Sequence, residues 1–226
     1  NTSTNIKRFQ NKNLKGSFLD NVYDFDNKKF NISDKEAECM CPSQRLALES
    51  VYELLYERDV SKNTGVYSAC CNTDYDNSQN AKSPYTSTGT ALSIIPNRIS
   101  YTFGLTGPSL NVDTACSSSI VALEKAFEDL MTGKVENAIV IATNIILNDV
   151  TYEAFKSAGM LSPNGRCATF SENADGYLRG EGCAAILLSK TGGSNNIGVI
   201  ESVSINQDGK SANLTSPNGP SQERCI

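Results

Sequence analysis

The chain of 226 residues has no histidine and no tryptophan. It also lacks a C-x-x-C pair, a G-x-G-x-x-G turn and a lysine phosphate loop. The missing histidine removes the usual partner of an activated thiol, so a Cys–His pair cannot form within this polypeptide. The missing glycine-rich fingerprints leave nucleotide binding without support. No apolar run reaches the ~20 residues of a membrane span, and the opening NTSTNIKRFQNKNLKG has no signal-peptide core. A cytoplasmic location is therefore the expectation. A net charge of -5 argues against nucleic acid or an anionic membrane as the main partner.

Eight cysteines, at 39, 41, 70, 71, 116, 167, 183 and 225, are scattered through the chain. Disulfide scaffolds are shorter and denser in cysteine, so these read as reduced thiols, most of them structural. Their spacings do not resemble a zinc site, and no metal is expected.

One cysteine stands apart. In VDTACSSSIVALEKAFEDLMTGK, residues 112–134, the run from Ser109 to Thr114 alternates like a short strand. Beyond Cys116, Ile120, Leu123, Phe127 and Leu130 recur at helical spacing, with Val121, Ala126 and Met131 widening the stripe. A strand, a tight turn and a helix thus meet at a thiol in the first helical turn. Unpaired amides and the positive dipole end there favour a thiolate, and the same amides can donate to a thioester oxygen under attack. A small buried cysteine is the plain alternative. Ser117, Ser118 and Ser119 suit a helix start under both readings.

Elsewhere, Ser33 and Glu36 have capping-box spacing, predicting a short helix to about Met40. Pro42 suits the first position of a second helix, ending near Arg58. Thr64 to Cys71 reads as a strand and Asp74 to Ser83 as a polar loop. Between Gly89 and Tyr101 a helix is expected to kink or stop at Pro96. Ala138 to Leu147 reads as a strand buried on both faces, and Val150 to Ala158 as a helix. The Gly-punctuated stretch from Gly159 to Gly182 reads as a functional loop, in which Arg179 and Glu181 either hold substrate or fix a turn. Cys183 to Ser189 and Ile197 to Asn206 read as two strands joined by the turn Gly192-Gly193-Ser194-Asn195-Asn196. The order is that of an α/β domain with helices on a mostly parallel sheet. Asn1 at the start and Cys225-Ile226 at the end read as a chain incomplete at both ends.

Several segments in matching order resemble the β-ketoacyl synthase family, specifically the ketosynthase domains of polyketide synthases and animal-type fatty acid synthases. They are GSFLDNVYDFD, FNISDKEAECMCPSQRLALE, NRISYTFGLTGPSLNVDTACSSS, GMLSPNGRCATF, ADGYLRGEG and NQDGKSANLTSPNGPSQ. The resemblance runs from about residue 16 to 222 and implies that residues 1–226 are the N-terminal portion of a ketosynthase. It implies the first half of a thiolase-like layered α/β fold that works as a homodimer or beside a partner ketosynthase half. It places Cys116 as the nucleophile that takes an acyl group from an acyl carrier protein. Phosphopantetheine enters only on that carrier partner, with no directly bound cofactor. Two histidines of the family's second half, absent here, assist decarboxylation of a malonyl-type unit and condensation. The backbone N–H of Cys116 is implied as one oxyanion donor, the other coming from a glycine-rich loop beyond this chain.

The chain departs from the family at Cys41, where Asp is usual, at Pro96, and at Ile141-Ala142, where Gly-Gly is usual. These departures keep a second reading open: a non-catalytic or degenerate relative acting as a structural or dimer partner.

Overall fold

The computed structural model describes residues 8–9, 14–71, 74–75, 82–191 and 196–226. Four strands, β1 (Thr64–Ala69), β2 (Ser109–Val112), β3 (Asn137–Asn144) and β4 (Gly182–Ser189), form one sheet in the order β2-β1-β3-β4. β1 runs parallel to both β2 and β3, whereas β4 lies antiparallel to β3. Two 3-10 turns, Asn27–Phe30 and Ala115–Ser117, and seven α-helices are described with the sheet: α1 (Asp34–Cys39), α2 (Pro42–Leu55), α3 (Thr86–Thr90), α4 (Ile94–Phe103), α5 (Ser118–Met131), α6 (Val150–Ser157) and α7 (Gly219–Cys225).

Strand alternation divides the core between the two sheet faces. Val66, Ile139 and Ile141 pack with Ala47, Leu48 and Val51 of α2 and with Ile95 and Ile99 of α4. Tyr67, Ala69, Ala138 and Val140 pack on the other face with Ala122, Ala126 and Leu130 of α5. The small alanines let α5 lie close against the sheet. Of the apolar stripe expected on this helix, Ile120 and Met131 are instead exposed, so α5 carries apolar side chains on an outer face as well as an inner one.

Local chemistry sets the helix boundaries. Ser33 caps α1 by accepting from the Glu36 amide at 3.2 Å. The reciprocal half of the box is replaced, because the Glu36 carboxylate is paired with Arg98 at 2.5 Å. Pro42 opens α2 where its missing N–H costs nothing. Just beyond it, Gln44 and Arg45 are buried with their side chains hydrogen-bonded. Gln44 Nε2 donates to the carbonyls of Thr88 and Gly89, and its Oε1 accepts from Arg98 Nε. Arg45 donates to the carbonyls of Met40, Tyr23 and Ala37 at 2.6–3.0 Å. The turn into α2 is thereby fastened to α1, α3 and α4.

Three expectations are corrected. Pro96 does not kink a helix: α4 begins at Ile94, so the proline lies in the first turn, where amides have no intrahelical acceptor. The residues before it form the separate short helix α3. β3 ends at Asn144, and buried Ile145 and Leu147 pack instead with Val22 near the N-terminus. Residues 197–206 form no strand, and Ile197 and Val199 are exposed. The segment joins neither edge strand of the sheet, β2 nor β4, and alternation without a bonding neighbour does not make a strand. Residues 76–81 of the expected polar loop and 192–195 of the expected turn lie outside the described residues.

The family departures are accommodated. Cys41 is the N-cap residue of α2, and burial pushes its thiol up. Ile141 is fully buried beneath α2 and α4, so its side chain serves as packing.

Candidate active site at the β2–α5 elbow

β2 leaves the sheet at Val112, and the chain reverses within three residues. Ala115 adopts φ +54°, the left-handed conformation that a Cβ disfavours. A 3-10 turn, Ala115–Ser117, follows and runs directly into α5. The sequence expectation put Cys116 in the first turn of the helix. The structure puts it two residues earlier, in the 3-10 turn, because the positive φ at Ala115 breaks the path from strand to helix.

Side chains hold the strained turn. Asp113 Oδ1 accepts from the Ala115 amide at 3.1 Å. The buried Ser118 hydroxyl accepts from the Thr114 amide at 2.9 Å and donates to the Ala115 carbonyl at 2.6 Å. Ser117 Oγ donates to the Thr114 carbonyl at 2.8 Å. The amides of Ser117 and Ser118 go to the carbonyls of Thr114 and Ala115. Cys116 stands at the crest of this turn, exposed to solvent.

The neighbours of Cys116 come from distant parts of the chain. Cys71, just past β1, is exposed and lies within electrostatic reach of Asp113, Arg179 and Cys116. Burial pushes its thiol up, Asp113 adds to this, and Arg179 opposes it. Tyr177 is raised chiefly by burial, with Arg179 opposing and Cys116 reinforcing. Arg179 is itself buried over the Phe155 ring, 5.1 Å from its centroid, and its Nη1 has no hydrogen-bond partner.

Arg179 and Glu181 therefore part company. The Glu181 carboxylate is fully enclosed and accepts from Arg8 at 2.6 Å, the Leu19 amide at 2.7 Å and the Ile146 amide at 2.8 Å. It fastens the N-terminal segment to the end of β3 and has no oxygen to offer a substrate. The loop that carries both residues is ordered by Asp175, which accepts from Ser162 and Asn164 at 2.6 Å each. Of the remaining cysteines, Cys39 and Cys70 are buried, and Cys167 accepts from the Leu178 amide at 3.2 Å. All eight are free thiols. Among the described residues, no group of three or more histidine, cysteine, aspartate or glutamate side chains could hold a metal ion.

Cys116 carries a local sequence signal, and its distant surroundings do not. Asp113 and Ser118 could have been suspected as short polar residues flanking a turn. Cys71 and Tyr177 carried no local signal, since strand pairing and a long loop alone bring them near the elbow.

Residues 2–192 match the family described as "Beta-ketoacyl synthase, N-terminal domain". The chain belongs to the β-ketoacyl synthase family. Its similarity to an orsellinic acid synthase from Beauveria bassiana is 39% identity over 223 residues, covering 92% of this chain and 10% of that protein. With a cyclo-acetoacetyl-L-tryptophan synthase from Aspergillus oryzae it shares 40% identity over 222 residues, covering 92% of this chain and 6% of the relative. The ketosynthase from module 6 of the bacillaene synthase of Bacillus subtilis 168 superposes with a TM-score of 0.79 at 30% identity. That match covers 92% of this chain and 38% of the solved one. The fold is thus that of the N-terminal part of a thiolase-like ketosynthase, and the chain spans a small fraction of the curated relatives it matches. Among the described residues, no helix of this ketosynthase segment is long and apolar enough to cross a membrane.

Proposed function

We propose that this chain is the N-terminal portion of a ketosynthase in polyketide or fatty acid biosynthesis, with Cys116 as its nucleophile. The observation that carries the proposal is an exposed cysteine at the crest of a strained, side-chain-braced turn at the start of α5. Exposed thiols at helix starts are the ones that react, whereas structural cysteines are enclosed and inert. A left-handed residue held in place by its surroundings is a mark of functional sites.

The first step is transthioesterification. The Cys116 thiolate attacks the carbonyl carbon of an acyl thioester on the phosphopantetheine arm of an acyl carrier protein. The tetrahedral oxyanion collapses, the carbon–sulfur bond to the arm breaks, and the carrier leaves as its free thiol. The Cys116 N–H is the proposed oxyanion donor. The flanking amides of Ala115, Ser117 and Ser118 are already bonded within the turn, which supports this choice. Decarboxylation of a malonyl-type unit and condensation follow, with histidines from the rest of the family's domain, since this chain has none.

The working unit is a homodimer or a pairing with another ketosynthase half, in the cytoplasm. Exposed Ile120 and Met131 on α5 are consistent with a helix covered by such a partner, and eight free thiols fit a reducing compartment. Intact-mass measurement of the full-length protein after exposure to an acyl-pantetheine thioester tests the assignment. One acyl adduct, mapped to Cys116 and lost in Cys116→Ala, is expected. An adduct on another cysteine, or one that survives the substitution, would overturn it.

A further inference from the structure

The sheet delivers a second thiol beside the elbow. β1 and β2 run parallel with Ala69 opposite Val112, so both chains leave the sheet at the same end. Neighbouring strands lie about 4.8 Å apart. Cys71 is the second residue past β1. Cys116 is the fourth past β2, but the bond from the Thr114 amide to Ser118 and the left-handed Ala115 fold those extra residues back. The two exits are also tied together: Asn111 Nδ2 donates to the Cys70 carbonyl at 2.9 Å, and Ser68 Oγ to Asn111 Oδ1 at 2.8 Å. Both thiols are exposed.

We propose that Cys71 is the resolving partner of Cys116, and that peroxide closes the pair into a reversible disulfide that blocks the acyl-accepting sulfur. Disulfides need Cα atoms about 4.4–6.8 Å apart, a separation that adjacent strand exits bring within reach. The Cys116 thiolate attacks one oxygen of hydrogen peroxide. The O–O bond breaks, leaving a sulfenic acid and hydroxide, which takes up the proton released by the thiol to become water. The Cys71 sulfur then attacks the sulfenic sulfur, the S–O bond breaks, and the departing hydroxide takes the Cys71 proton as a second water. Two thiols and one peroxide become one disulfide and two waters, and a dithiol reductant reverses the change.

The electrostatic surroundings agree with this division of labour. Partial burial, with Asp113 adding to it, pushes the Cys71 thiol up from its ordinary range, so it is not the first sulfur to meet peroxide. It acts once Cys116 has become electrophilic. Closure also halts oxidation before the sulfinic stage, from which thiols are not ordinarily recovered.

The inference rests on the proposed function only in taking Cys116 as the more reactive thiol. The test uses the full-length protein, treated with hydrogen peroxide, alkylated, and digested without reductant. A Cys71–Cys116 linked peptide is expected, and dithiothreitol should restore acyl loading to within about twofold of the untreated protein. In Cys71→Ser the link is absent, Cys116 proceeds to sulfinic acid, and recovery falls to about a tenth or less. A link from Cys116 to Cys167, or sulfinic acid at Cys116 of the wild type with no linked peptide, would overturn the pairing. Loading of the untreated protein is scored separately, so failure of the acyl-transfer reading is told apart from failure of the disulfide.

Discussion

The Ser118 hydroxyl holds the carbonyl of Ala115 at 2.6 Å, and Ala115 is the left-handed residue immediately before Cys116. The same hydroxyl accepts from Thr114, so one buried oxygen bridges both sides of the strained residue. Ser118→Ala removes both bonds and leaves the Thr114 amide and the Ala115 carbonyl without that partner. A destabilisation of about 1–3 kcal/mol is expected, together with slower acyl loading. Urea denaturation and single-turnover loading, measured on the same preparation, check the two effects. Unchanged loading would mean that the brace does not position the sulfur.

Cys116→Ala should separate chemistry from folding. The side chain is exposed, and substitutions at such positions usually stay within about 0.5 kcal/mol. The melting temperature should hold while covalent loading disappears. A large drop in melting temperature would instead mark Cys116 as a packing residue.

The Arg45 guanidinium donates to three carbonyls from two segments, and burial weighs against its charged form. Arg45→Met keeps the bulk but strips the side-chain donor from all three, leaving the Tyr23 and Met40 carbonyls without it while the Ala37 carbonyl keeps the Met40 amide. A loss of at least about 3 kcal/mol is expected, read by chemical denaturation. A neutral result would show that the three carbonyls find other donors.

Asp129 is a buried residue of α5 that accepts from Tyr67 at 2.7 Å and pairs with Lys125 and Lys134. Burial pushes its carboxyl up, but the Tyr67, Lys125 and Lys134 bonds outweigh it and the net shift is downward from 3.8. A carboxyl lowered in the folded state contributes stability that is fully present above its unfolded value and lost as pH falls through the folded one. Asp129→Asn should therefore cost stability at neutral pH, and the gap from wild type should narrow as pH drops below about 4. Denaturation curves at several pH values measure the gap; a constant difference would exclude the ionised carboxylate as its source.

The exposed apolar residues predict self-association of the 226-residue chain expressed alone. Ile120 and Met131 on α5, together with Ile197, Val199 and Leu214, stand in solvent. Apolar surface of this kind promotes association. Light scattering should report oligomers or aggregates, and a monodisperse monomer would count against the idea.

Much of the fold was legible because its signals are local. Ser33 and Pro42 marked two helix starts within a residue, since capping and proline geometry depend on the immediate chain. The buried run of β3 announced itself by composition. Pro96 misled because its effect depends on where the helix begins, and α4 begins two residues before it. The segment around Ile197 and Val199 alternates like a strand, yet a strand also needs a neighbour, which alternation does not encode. Cys116 was legible from the strand–turn–helix pattern and from the family resemblance. Cys71 was not, because 45 residues separate it from Cys116 and the pairing of β1 with β2 closes that gap.

The left-handed backbone at position 115 also limits what substitution can do there. Valine, isoleucine and threonine would crowd their branched carbons against the main chain, whereas glycine and asparagine tolerate that conformation. Replacement at that position is thereby channelled toward small or amide-bearing side chains.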